Sequence, residues 1–141
     1  MYLEVYVFNS TSVKEEQVHD EEGLPGFPPN EVLKRIIEAK VAKIRWKDKE
    51  TGRVENVDFQ GQIILGHVNS DKVIFFRITG GSDPFKLIIE LSKENGWTSY
   101  TPENSHFLEF DMDTKKYWED YKKYRGWVNQ TFYQNDRSNF D

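Results

Sequence analysis

The sequence predicts an α+β fold, with an antiparallel sheet of about five to six strands, a central meander and about three helices in the order β-α-β-β-β-α-β-β-α. Three observations predict it. From Lys40 to Thr79 the apolar residues follow the period of extended chain, with turn signals at Asp48 to Gly52 and at Asn69-Ser70-Asp71. Before that stretch Val32, Leu33, Ile36 and Ile37 recur at helical spacing, and after it Phe85, Ile88, Ile89 and Leu91 do the same. Within it, Val73 to Ile78 is almost continuously apolar, which suits a strand covered on both faces.

Taken in order, Tyr2 to Phe8 is the expected first strand, with Leu3, Val5 and Val7 on one face and Tyr2, Tyr6 and Phe8 on the other. The polar stretch Asn9 to Gly23 reads as a mobile loop, and Leu24-Pro25-Gly26-Phe27-Pro28-Pro29 as an extended entry path. Asn30 is the expected N-cap of a first helix from about Glu31 to Ala39. The meander follows as Val41 to Trp46, Arg53 to Val68 with a bulge or bend at Gly61, and Lys72 to Ile78. Gly80-Gly81-Ser82-Asp83-Pro84 stops the sheet and starts the second helix, which leaves through Asn95-Gly96. Two short strands, Trp97 to Tyr100 and His106 to Met112, precede a third helix capped by Asp113 or Thr114 and running to about Trp127, with a frayed tail from about 129. The 141 residues are expected to form one domain.

Composition narrows the function classes. There is no cysteine, so thiol nucleophiles, thiolate metal sites and disulfides are excluded. The amino terminus is interrupted by charge too early for a secretory signal, and no apolar run reaches membrane-spanning length. A cytoplasmic address is the resulting expectation. A net charge of −5 argues against nucleic acid and anionic membrane as partners and suits a basic protein partner. Aromatic residues make up 15% of so polar a chain, and some of those rings must build the core because Leu, Ile and Val alone are not abundant.

Several residue groups are candidates for chemistry. In Glu109-Phe110-Asp111-Met112-Asp113, strand geometry would align Glu109, Asp111 and Asp113 on one face, as a hard cation requires. A second converging set is missing unless Glu55 and Asp58 are neighbours, so no metal and no cofactor is expected. The turn before Pro84 offers helix amides to phosphate, but Asp83 places a negative charge there. His19, His67 and His106 lack ligand spacing, and no serine sits in a nucleophile elbow. On the third helix Tyr117, Tyr121 and Tyr124 form a stripe with Trp118 beside it, either docked on the sheet or presented to a partner. The loop His19 to Pro29 combines the acids Asp20, Glu21 and Glu22 with a rigid segment that can present Phe27.

The segment Asn95-Gly96-Trp97, followed by Tyr100-Thr101-Pro102-Glu103 and an apolar strand, is similar to many small bacterial proteins, among them immunity proteins that neutralise a secreted toxin. The resemblance spans about thirty residues and brings no functional residue with it. The sequence therefore points to a small non-enzymatic binding protein, of immunity or adaptor type, with Asp20, Glu21, Glu22, Phe27, Trp118, Tyr121 and Trp127 as contact residues. The alternatives are a small carboxylate or histidine enzyme and a small-ligand-binding domain.

Overall fold

A computed structural model describes residues 2–67 and 70–133, with side chains described at 2–66 and 71–123. Among these residues seven strands form one antiparallel sheet, and four helices accompany it. The α+β class and the antiparallel sheet stand as expected, while the element count is higher.

The strands are β1 (Leu3–Phe8), β2 (Ile44–Trp46), β3 (Thr51–Glu55), β4 (Gln60–His67), β5 (Ser70–Gly80), β6 (Thr98–Thr101) and β7 (His106–Phe107), in the spatial order β2-β3-β4-β5-β1-β6-β7. The apolar β5 is the middle strand, with Leu3 to Phe8 of β1 on one side of it and β4 on the other. Residues alternate between the two faces of a strand. Leu3, Val5 and Val7, Ile63 and Leu65, and Ile74, Phe76 and Ile78 therefore share one face, and all are buried in the main core.

Helices α2 (Asn30–Glu38) and α3 (Pro84–Asn95) contribute Leu33, Ile37, Phe85, Ile88 and Leu91 to that core. Phe59 and Phe76 meet edge to face across it at 6.0 Å. The α3 boundaries follow from the sequence. The Asp83 side chain accepts the Lys86 N–H at 3.3 Å, Pro84 occupies the first turn, and Gly96 closes the helix in the left-handed conformation at φ 69°. For α2 the expected cap is corrected, because Pro29 holds the N-cap position and Asn30 is already helical. The Asn30 amide instead donates to the Lys49 carbonyl at 3.2 Å, tying the helix to the β2–β3 turn. In that turn Asp48 accepts N–H bonds from Glu50 and Thr51, which hold its carboxyl below the ordinary aspartate range.

Three segments differ from expectation. The long third strand is divided at Asn56, whose side-chain oxygen accepts the Asp58 and Phe59 N–H groups at 3.0 and 2.8 Å. That turn folds Phe59 inward and leaves β3 and β4 as separate strands, with the expected irregularity at Gly61 present in the β4–β5 pairing. The second correction concerns Asn9 to Gly23, which contains a helix, α1 (Glu15–Asp20), instead of an unstructured loop throughout. The third concerns the strand expected at His106 to Met112, which ends at Phe107, so Glu109, Asp111 and Asp113 lie in a turn without the common face that a strand would give them.

The last helix, α4 (Thr114–Tyr133), continues past the expected end near Trp127 and takes in the first residues of the expected frayed tail; the remainder lies outside the described residues. Asp113 caps it by accepting the Lys116 N–H at 3.1 Å. No helix among the described residues is long and apolar enough to cross a membrane.

Candidate binding surfaces

The two faces of the sheet are covered unequally. Opposite the main core, cross-strand pairing aligns Arg45, Arg53, Gln62, Arg77 and Glu4 in one row, and Thr51, Ile64, Phe75, Tyr6 and Tyr100 in the next. Beyond them Phe8 faces Val73. Val18 of α1 and Leu24 close over Phe8, Val73 and Tyr100 in a second, smaller core, and Tyr6 and Phe75 pack at its margin. Tyr6 and Phe75 meet edge to face at 5.1 Å. Burial and, next, the charge of Glu4 raise the Tyr6 phenol above the usual tyrosine range. Among the described residues, the end of this face that carries the arginines has no such cover.

Helix α1 is short, and its place on the sheet depends on tertiary contacts. Val18 is its one buried residue. At its start the Lys14 N–H donates to the Gln17 side-chain oxygen at 2.8 Å, and at its end Glu21 turns left-handed at φ 60° with its N–H on the Gln17 carbonyl. Lys72 of β5 reaches the Glu21 carbonyl at 3.4 Å. Asp20 and Glu22 are exposed, Glu21 is partly so, and Glu15 and Glu16 extend the acidic surface along the helix. The three expected acids therefore stand together on an anchored rim.

The expected aromatic contacts are distributed differently. Phe27 is only 8% exposed and meets Trp97 edge to face at 5.2 Å; Trp118 is 5% exposed. Both rings are core, so the expectation that they stand free for a partner is corrected: the apolar area they would offer already stabilises the fold. The Trp118 indole N–H donates to the Gly81 carbonyl at 2.9 Å, and Phe85 lies 5.8 Å from it. Trp118→Phe keeps most of the ring and leaves that carbonyl unpaired, so urea denaturation is expected to show a loss of about 1–3 kcal/mol.

Tyr121 is half-buried, stacks on Trp118 and hydrogen-bonds Glu103 through its hydroxyl. Trp127 lies on α4, with its side chain outside those described. The described part of the α4 stripe thus docks: Tyr117 packs on Phe85 at 4.8 Å, and Thr114 donates to Asp83 at 2.9 Å, while the side chain of Tyr124 lies outside those described.

Among the described residues no three His, Asp or Glu side chains converge as a metal-binding group. His19 and His106 are exposed and separate, His106 stacking on Tyr117 at 6.0 Å. The side chain of His67 lies outside those described. What the sequence did not reveal is the arginine row, whose three arginines come from three strands and share no local motif.

Comparison with known protein families, curated proteins and solved structures finds no match to this chain.

Proposed function

We propose that this protein is a non-enzymatic binding domain that captures a protein partner with a basic surface through the α1 rim. The observation that carries this reading is the anchoring of Asp20, Glu21 and Glu22 on an ordered helix end fixed to the sheet by Val18 and Leu24. Acids held at fixed positions need no ordering on encounter, so their field acts on the association step at little entropic cost. An anchored rim also defines which way a partner lies. The partner's cations meet α1, and its body extends over the neighbouring sheet face beside Tyr6 and Phe75. An immunity-type or adaptor role is the form of binding that best suits a small acidic domain of this kind.

The test begins with affinity capture from the source cell and identification of what binds. Association of that partner is then followed by stopped flow at two ionic strengths. Neutralising Asp20, Glu21 and Glu22 together to Asn, Gln and Gln is expected to slow association about tenfold or more at low salt, with less effect at high salt and little change in dissociation. An association rate indifferent both to salt and to the triple change sinks the reading.

A further inference from the structure

We infer that the arginine-bearing end of the sheet's second face is a binding site for a phosphate monoester of about nucleotide size. It lies between β3, β4 and β5, where an open depression of about 660 Å³ is lined by Lys43, Arg53, Arg77, Gln60, Gln62 and Tyr2. That size falls within the usual range for small-molecule sites. This inference is independent of the α1 reading, because none of these residues belongs to the acidic rim.

The local charge runs against that of the molecule. In a chain of net charge −5, the depression gathers Lys43, Arg53 and Arg77 against a single lining carboxylate, Glu55. The arginines hold their neighbours in a way that leaves donors over. Arg53 bonds Glu55 through Nε at 2.8 Å, and Arg77 bonds Glu4 through Nε at 3.2 Å. The terminal amino groups of both guanidiniums have no hydrogen-bond partner among the described residues. Each carboxylate thus acts as a brace that orients its arginine while its bidentate end stays available.

Arg77 is steadied further by the Tyr2 ring, 4.8 Å from its guanidinium carbon. Its side chain is 36% exposed, and that of Arg53 is 55% exposed.

The spacing selects the anion. Arg53 and Arg77 both pair with Gln62, one from each side, so their backbones stand about 10 Å apart, two interstrand steps. A carboxylate has two oxygens and is satisfied by one arginine fork. Two forks and a lysine match the three terminal oxygens and double charge of a phosphate monoester. The side-chain amides of Gln60 and Gln62 line the same depression without a hydrogen-bond partner among the described residues, which leaves them to the organic part of such a ligand.

The probes are inorganic phosphate, adenosine 5′-monophosphate and adenosine, titrated at constant ionic strength into the 15N-labelled protein. Saturable shifts confined to the amides of β3, β4 and β5 are expected with phosphate. The monophosphate should bind about tenfold more tightly than phosphate, since its base and sugar add contacts in the depression. Arg53→Gln combined with Lys43→Gln, both at exposed positions, should weaken the monophosphate about tenfold or more with the amide spectrum otherwise intact. Arg77→Gln should do the same and serves as the second variant. Absence of saturable shifts in those strands, insensitivity to these substitutions, or adenosine binding as tightly as its monophosphate would each overturn the inference.

Discussion

Replacing Phe76 by alanine is expected to lower the unfolding free energy by about 3–5 kcal/mol, read from the midpoint of a urea transition. Phe76 is fully buried and sits on the central strand β5, with β1 paired on one side through Val5 and β4 on the other through Ile63. Its ring meets Phe59, which the Asn56 turn has folded beneath the sheet. Truncation therefore opens a cavity that both flanking strands line, and backbone pairing on each side resists collapse into it. Phe75, the next residue, provides the contrast. It points to the opposite face and is half-buried at the margin of the smaller core, so Phe75→Ala should cost less than Phe76→Ala. Equal losses at the two positions would mean that the faces of β5 are not differentiated as described.

The sequence is informative here where one local rule has no competitor. Val73 to Ile78 announced a middle strand, and Asp83-Pro84 with Asn95-Gly96 bounded α3, because cap and turn chemistry act within a few residues. Alternation misled at Glu109 to Asp113, where the period of a strand is present but pairing with β6 goes only one bond past Phe107, from the Leu108 N–H to the Ser99 carbonyl at 2.9 Å. Periodicity describes a side chain's face only if a neighbouring strand is there to define one. Helix α1 was hidden for the converse reason. Six residues with one buried side chain have no periodic signature, and their helix depends on the apolar end of β1 and β5 that Val18 covers. Phe27 and Trp118 carried the residue types of a binding hot spot, yet burial decides between anchor and core, and burial is set by tertiary contacts. The arginine row shows the same gap from the other side. Arg45, Arg53 and Arg77 become neighbours through the register of four strands, which depends on the turn at Asn56 and on the irregularity beside Gly61.

Gly61→Ala is expected to be among the most damaging exchanges of two small residues in this chain. Gly61 has φ 154°, and a Cβ there would stand 1.9 Å from the Arg77 carbonyl oxygen and 2.9 Å from its carbon. Those are backbone atoms of the central strand, so relief requires β4 or β5 to move, and neither moves without disturbing the adjoining pairs Gly61–Ile78 and Val54–Gly61. Backbone displacement in a packed sheet costs about 1–3 kcal/mol, and the left-handed φ adds to that. Gly96→Ala separates the two contributions. Gly96 also has positive φ, at 69°, but the nearest atom to a Cβ there is a Thr11 methyl at 3.6 Å, an ordinary contact. Its loss should be the conformational part alone, about 1–2 kcal/mol. Urea titrations of both variants should therefore place Gly61→Ala clearly below Gly96→Ala in stability. The same shift of β4 would also move Gln62 from its place between Arg53 and Arg77, so Gly61→Ala protein that still folds should lose the phosphate-induced shifts in β3 to β5. Equal stability of the two variants, with those shifts retained, would show that the close approach at Arg77 does not fix the register on which the arginine row depends.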